Sequence, residues 1–237
     1  MSIIDLPTSV DWLPRLQQLA GGVVVDADHR LQFALLDAFE LTQENRWLER
    51  AAAVAGLLTA KFLDSSTGAL RDRPVDAASP VAVLDRPYYP IADAPSPSGN
   101  GAAALGLLRL HASSGDASAR DVATGILRAF GGTAAQLGSS AATYIKAVSW
   151  ATLPVTTVVI VDTEESVLLR TALRSPRPRT VVRRFAPGSV SRGSLPPEIA
   201  AMLTGDAPRA YVCAGRTCAA PVSDADALAA LLRDFHG

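Results

Sequence analysis

The residues Ala94-Pro-Ser-Pro-Ser-Gly-Asn-Gly101 lead directly into the apolar segment Ala102-Ala-Ala-Leu-Gly-Leu-Leu-Arg-Leu110. Two prolines make the first part a rigid turn, and small polar residues are favoured where such a turn gives way to a helix. We expect Ser96 or Ser98 to cap this helix and the Asn100 amide to tie the preceding loop to it. No G-x-S-x-G sequence accompanies them, so a nucleophilic serine is not predicted.

A helical pattern recurs on both sides of this stretch. Residues 26–63 show the apolar spacing of a helical hairpin, and residues 101–130 show that of a second one. The two hairpins form an internal sequence repeat with an offset of 72 residues. In this alignment Leu35-Leu36 matches Leu107-Leu108, Thr42 matches Ser114, Glu44 matches Asp116 and Ala51 matches Ala123. A looser helical run follows at 133–151. Such hairpins bury their apolar faces by stacking, as in solenoids or closed α/α barrels.

The pattern changes after Pro154. The β-branched run 156–161 predicts a buried strand, and 180–185 and 209–213 are further strand candidates. Helices are predicted at 164–173, capped by Asp162 or Thr163, and at 224–235. The sequence thus predicts a mainly α protein with a helical hairpin array at 1–153, containing a long loop at 69–97, and a small α/β unit with a parallel sheet at 154–237.

Composition narrows the class of protein. The chain has 237 residues, 49% of them apolar and 19% charged, with a net charge of −1. This balance indicates a globular protein without a nucleic-acid partner. No apolar run is long enough for a membrane span, and the first 20 residues lack a signal-peptide core, so we expect a soluble, cytoplasmic protein.

Four motifs together resemble one known family. They are Asp93-Ala-Pro-Ser-Pro-Ser-Gly-Asn100, Leu107-Leu-Arg-Leu110 with Ser114-Gly-Asp116, Val158-Val-Ile-Val161, and Ala210-Tyr-Val-Cys-Ala-Gly-Arg-Thr-Cys-Ala-Ala-Pro-Val222. Their order and spacing resemble the C-terminal portion of the thioredoxin-domain-containing proteins related to spermatogenesis-associated protein 20. The resemblance covers about residues 22–235. It implies part of a six-hairpin glycosidase-like α/α barrel, a fold shared with sugar epimerases and glycosidases.

The chain also departs from that family. No thioredoxin-like module and no C-x-x-C precede residue 22, so the family's redox activity has no expected carrier here. Three hairpins cannot close a six-hairpin barrel. We therefore expect a homo-oligomer, or a partner chain that completes the barrel, because an open helical layer would expose apolar surface. A non-catalytic scaffold or partner-binding protein is the alternative to an enzyme.

The resemblance directs attention to carbohydrate chemistry. Glycoside hydrolysis needs two carboxylates, and Asp93 near the motif is a candidate, together with Asp85, Asp26 and Asp28. An epimerase would need a base, and His29 at a helix start is a weak candidate, whereas His111 is expected to be a packing or surface residue. In the family an acidic residue followed by an aromatic residue or His begins the corresponding helix, and Asp28-His29 resembles that pair one residue out of register.

The long loop supplies the candidate ligand contacts. Tyr88, Tyr89, Ser98 and Asn100 could line a pocket for a small-molecule carbohydrate by stacking and hydrogen bonding, with loop packing as the alternative. We predict neither a metal nor a bound cofactor. The glycine pairs lack the spacing of phosphate-binding loops.

Two other features remain. Cys213 and Cys218 have C-x4-C spacing, which we expect to mean reduced structural thiols, with a reversible disulfide, and so a redox pair, as the alternative. Too few ligands are near for zinc. Six arginines lie between Arg170 and Arg184. Without interleaved aromatic residues, this basic run predicts a solvated face or a partner contact.

Overall fold

A computed structural model describes residues 25–76, 86–189, 197–202 and 207–235 of the chain. The prediction of a mainly α protein is confirmed. The helices of the first part are α1 (Val25–Thr42), α2 (Asn45–Phe62), α3 (Gly99–Ser114), α4 (Ala117–Phe130) and α5 (Ala142–Thr152). Two short 3₁₀ turns, Ala134–Gln136 and Gly138–Ala141, lead into α5.

The 72-residue repeat is visible in the hydrogen bonds of the two hairpin corners. Thr42 donates its hydroxyl to the carbonyl of Ala38 and accepts from the backbone N–H of Glu44. Ser114, its counterpart, makes the same two bonds at the end of α3. The next residue adopts a positive φ in both corners, +59° at Gln43 and +80° at Gly115. The two corners therefore have the same local structure, in agreement with the sequence repeat.

The helices form two layers. Helices α1, α3 and α5 lie side by side as an inner layer, and α2 and α4 pack on one face of it. The central helix α3 is buried on nearly all sides, and its run of Ala and Gly between Gly99 and Gly106 permits close approach of its neighbours. At Gly101 an added Cβ would lie 3.0 Å from the backbone nitrogen of Tyr144. Small residues thus fix how tightly α3 and α5 pack.

A two-stranded hairpin follows α2. Its strands are β1 (Leu63–Asp64) and β2 (Ala69–Leu70), paired antiparallel. Gly68 closes the turn with φ +76°, the left-handed conformation expected for it. Of the predicted loop 69–97, the structure describes 69–76 and 86–97, in which β2 is the regular element.

The second part of the chain is built around a four-stranded sheet. Strands β3 (Thr156–Val161), β4 (Thr180–Phe185), β5 (Arg209–Ala214) and β6 (Thr217–Cys218) have the order β4-β3-β5-β6. Of the three pairings among these described strands, β3–β4 is parallel, whereas β3–β5 and β5–β6 are antiparallel. The prediction of a parallel sheet is therefore wrong for β5, which pairs antiparallel with β3. Phe185, where β4 ends, and Arg209, where β5 begins, both lie beside Val161, so β5 runs back along β3.

Helices cover both faces of this sheet. On one face lie α6 (Val167–Leu173) and α8 (Ala225–Asp234), and on the other lies α7 (Pro197–Met202). Burial on both faces explains the continuous apolar run of β3. The predicted caps Asp162 and Thr163 are wrong for α6, because Ser166 caps it by accepting from the N–H of Leu169 at 3.0 Å.

The sheet contacts the helical layers through its edge strand β4. The Gln43 amide donates to the carbonyl of Val182 at 3.2 Å and accepts from the N–H of Arg184 at 2.7 Å. Helices α1 and α3 also approach β4. The corner between α1 and α2 thus holds the outer edge of the sheet against the inner layer.

None of the helices in the described ranges combines the length and apolar character needed to cross a membrane.

Candidate functional site

The motif at 93–100, which ends the long loop, is held by hydrogen bonds to backbone groups. Asp93 accepts from the N–H of Ser98 at 2.7 Å and from the N–H of Thr143 at 2.8 Å. Burial alone would raise the pKa of Asp93, but these hydrogen bonds outweigh it and lower the pKa. The carboxylate thus joins the first turns of α3 and α5. As a catalytic residue, Asp93 stays a prediction.

The two predicted polar ligands of the motif are buried. Ser98 is 3% exposed and caps α3 by accepting from the N–H of Gly101. Asn100 is 0% exposed, and its amide bonds to both backbone groups of Leu70 and to the carbonyl of Pro90. This matches the expected cap and the expected tie between loop and helix. A ligand-binding role for either residue stays a prediction.

The two tyrosines have different surroundings. Tyr88 is 60% exposed, whereas the Tyr89 hydroxyl donates to Asp64 at 2.7 Å. Asp64 also accepts from the Ser66 hydroxyl and from the Arg71 guanidinium. These hydrogen bonds, first of all that of Ser66, hold the pKa of Asp64 well below its usual range. Tyr89 is therefore part of a carboxylate network that stabilises the β1–β2 hairpin.

The remaining predicted residues fall in three places. Asp28 and His29 lie in α1, but their side chains are outside what the structure describes, as are Asp26, Asp85 and His236. Cys213 and Cys218 form a disulfide across the β5–β6 hairpin, with their Cα atoms 4.1 Å apart. Their role as a redox pair stays a prediction. In the described ranges no group of three or more His, Cys, Asp or Glu side chains is placed to hold a metal.

A cavity of about 530 Å³ lies on the inner layer, between α1, α3, α5 and the loop before β4. We call it the inner-face cavity. Pro97, at the end of the long loop, forms part of its wall. Its aromatic and charged lining comprises Phe33, Trp150, Asp37, Glu40, Arg109, Lys146, Arg177 and Arg179. Its volume lies within the range of small-molecule sites.

An ion-pair cluster forms one side of this cavity. The Arg109 Nη2 donates to Asp37 at 2.6 Å and to Glu40 at 3.2 Å. The Arg109 side chain is only 15% exposed, and its guanidinium lies 5.8 Å from the centre of the Phe33 ring. Burial lowers the pKa of Arg109, but the two carboxylates outweigh it and raise that pKa. Arg109 therefore stays charged and fixes both acids on one face of α1.

Glu40 differs from Asp37 in its electrostatics. Burial raises the pKa of Glu40 and outweighs the lowering by Arg109, and the neighbouring Asp37 raises it further. The cluster thus places two carboxyl groups with different electrostatic surroundings around one guanidinium.

Sequence reasoning missed this cluster. The available signal was the repeat itself, because the 72-residue shift that pairs the hairpins also places Arg109 on Asp37. Equivalent positions of two adjacent inner helices thus carry opposite charges. That they face each other follows from the packing of α1 against α3, which the sequence does not specify.

Comparisons with known proteins support the resemblance. No family model matches the chain. The chain is similar to spermatogenesis-associated protein 20 of Homo sapiens, with 27% identity over 206 residues, which are 84% of this chain and 26% of the human protein. The chain therefore spans about a quarter of that relative's length. The similarity supports a relation to the family predicted from the motifs, and the α/α barrel itself stays a prediction.

Proposed function

We propose that this chain binds a carbohydrate-like, polyhydroxylated ligand in the inner-face cavity. The observation that carries the proposal is the Asp37–Arg109–Glu40 cluster beside Phe33 and Trp150. Ionised carboxylates accept hydrogen bonds from hydroxyl groups, and the guanidinium donates them. Aromatic rings provide apolar surface for the carbon face of a sugar ring. The cavity combines these three kinds of group.

The proposed site lies beside the predicted loop and not within it. Of that loop, Pro97 lines the cavity, whereas Tyr89 and Asn100 are engaged with the β1–β2 hairpin. In this proposal the loop serves mainly to set the positions of α3 and α5 through Asp93. Tyr88 is exposed and is not among the residues that line the cavity. A substitution of Tyr88 therefore distinguishes binding at the loop from binding in the cavity.

Calorimetric titration with a panel of mono- and disaccharides tests the proposal. We expect saturable binding of at least one sugar. Asp37→Asn should weaken it about tenfold or more, since one lost charge-assisted hydrogen bond costs about 1.5–3 kcal/mol. Trp150→Ala should also weaken it, because it removes the apolar surface for the carbon face of the sugar ring. Tyr88→Ala is the matched control and should bind normally. If Tyr88→Ala were the one variant to lose binding, the sugar would bind at the loop. If no sugar bound to the wild type, carbohydrate binding would be excluded.

A role in assembly is the second candidate, and exposed apolar residues on α5 favour it. This helix lies at one side of the inner layer, and Ile145 and Leu153 at and after it are 55% and 49% exposed. A second copy of the chain could cover them and extend the helical layer towards a barrel. Light scattering after size exclusion should then show a dimer or larger species that Ile145→Asp dissociates. A monomeric wild-type protein would contradict this role.

A further inference from the structure

A second cavity, of about 450 Å³, lies on the other side of the loop that precedes β4. We call it the arginine cleft. Arg177 and Arg179 come from the loop, and Arg233 comes from the last turn of α8. Thr156 and Ala214, at adjacent ends of β3 and β5, complete the wall between them. Residues distant in sequence thus bring three guanidinium groups to one concave surface.

No carboxylate neutralises these arginines within the described ranges. Arg177 donates Nε to the Thr156 hydroxyl at 2.8 Å and Nη1 to the carbonyl of Leu232 at 3.2 Å. Among the described residues, the Arg179 side chain donates one hydrogen bond, from Nε to the carbonyl of Pro154 at 3.4 Å. Both partners are neutral. The ion pairs of the described residues include none of the three arginines. The cleft therefore concentrates positive charge in a chain whose net charge is −1.

The loop is stiff enough to hold its charges in place. Pro176 and Pro178 flank Arg177, and proline fixes φ and restricts the residue before it. The guanidinium of Arg177 lies 5.8 Å from the centre of the Phe235 ring and is also anchored by its two hydrogen bonds. A group that is ordered before binding loses little entropy on binding.

We propose that the arginine cleft binds the phosphate group of a small phosphate monoester. The terminal nitrogens of Arg179 and the guanidinium of Arg233 are free of protein hydrogen bonds among the described residues, so they can each bind two phosphate oxygens. A phosphate dianion matches three cations better than a single carboxylate does. The volume fits a small molecule. Arg177 and Arg179 line both this cleft and the inner-face cavity, whereas Arg233 lines the cleft and not the inner-face cavity. Arg233→Gln therefore tests the cleft separately from the proposed carbohydrate site.

Titration calorimetry at constant ionic strength tests this site, with inorganic phosphate, glycerol 3-phosphate and acetate as probes. We expect saturable binding of the two phosphates and at least tenfold weaker binding of acetate. Arg179→Gly and Arg233→Gln should each weaken phosphate binding about tenfold. Arg179 has φ +52°, so glycine there removes the guanidinium and also relieves backbone strain. The change therefore suits the native backbone conformation at residue 179, and a urea unfolding curve of the variant checks that it folds as the wild type does.

Arg174→Gln is the control variant, because Arg174 is exposed and belongs to the same basic run but does not line the cleft. It should bind phosphate within twofold of the wild type. Three results would overturn the proposal: no saturable phosphate binding, equal binding of acetate, or an equal loss in Arg174→Gln, which would indicate general electrostatic attraction.

Discussion

Gln43 occupies a backbone conformation that is costly for a residue with a side chain. Its φ is +59°, and the equivalent corner residue of the second hairpin is Gly115. The left-handed conformation costs a non-glycine residue about 1–2 kcal/mol. The Gln43 amide offsets this cost with its two hydrogen bonds to β4, which glycine could not make. One corner of the repeat is therefore specialised for contact with the sheet.

Substitutions at Gln43 separate the cost of its backbone conformation from the stabilisation by its side-chain hydrogen bonds. Gln43→Ala should lose about 1–3 kcal/mol of unfolding free energy, because it keeps the strain and loses three side-chain hydrogen bonds, the two to β4 and one to the carbonyl of Glu40. Gln43→Gly should lose less, since it also relieves the strain. Urea unfolding measures both, and Gly115→Ala is the control for strain alone. Unchanged stability and unchanged exchange of the Arg184 amide in Gln43→Ala would contradict the contact.

Asp93 should make the protein sensitive to acid. Its pKa is lowered in the folded state, so its stabilisation is complete above the unfolded pKa of about 4 and is lost as pH falls through the lowered folded pKa. Asp93→Asn should lose about 1–2 kcal/mol at pH 7, in the range of a lost helix cap. The difference from wild type should shrink below pH 4. Unfolding curves from pH 7 to 3 measure it, with the exposed Asp121→Asn as control. An equal loss at all pH values would be inconsistent with this account.

At the scale of elements, the contact between α3 and α5 depends on the absence of a side chain at Gly101. A Cβ there would lie 2.5 Å from the Ser98 hydroxyl and 3.0 Å from the backbone nitrogen of Tyr144. Gly101→Ala should therefore destabilise the protein by about 1–3 kcal/mol, as overpacking does. Gly56→Ala, in α2 with nothing within 4 Å, should instead gain up to about 1 kcal/mol. Equal effects in chemical denaturation would contradict the proposed close packing.

The β5–β6 hairpin is closed by its disulfide, which spans five positions. In the chain-entropy account, a loop of this length contributes about 2 kcal/mol to stability. Reduction, or the double change Cys213→Ser and Cys218→Ser, should lower the unfolding free energy by about that amount. Thiol labelling with mass spectrometry reports the oxidation state of the sample. Equal stability of oxidised and reduced protein would show that the bond adds nothing to the hairpin.

Elements with a clear periodicity could be predicted from the sequence. The hairpin corners at Thr42 and Ser114 and the strands 156–161 and 180–185 follow from local spacing and β-branched runs. The predicted start of α6 is too early, because Asp162, Thr163 and Ser166 are all suitable caps and Ser166 is the residue that caps the helix. The antiparallel direction of β5 depends on where the chain re-enters the sheet, which residue patterns do not encode.

For the molecule as a whole, the candidate sites arise from contacts between distant segments. Arg109 meets Asp37 across 72 residues, and Arg177 reaches Leu232 across 55. Neither pair has a local sequence signal. The motif around Asp93, by contrast, had a local sequence signal. The described contacts of Asp93 are with backbone groups.

Because β4 contacts α1, α3 and the corner at Gln43, we expect the helical layers and the sheet to unfold in one transition. Hydrogen exchange with mass spectrometry in rising urea measures this, by comparing peptides from α3 with peptides from β3. Both should show the same opening free energy in the wild type. Gln43→Ala is expected to lower the value for the sheet peptides. An independently opening sheet in the wild type would contradict the expectation.

The Gln43 contact also bears on solubility. In a parallel pairing with β3, alternate residues of β4 point their backbone groups away from the sheet, and Gln43 engages two of those groups, the carbonyl of Val182 and the N–H of Arg184. An uncovered edge strand is a template for pairing with another chain. The side chain therefore acts as a blocking group against edge-to-edge aggregation, and a single amide in a helical corner protects a sheet more than a hundred residues away in the chain.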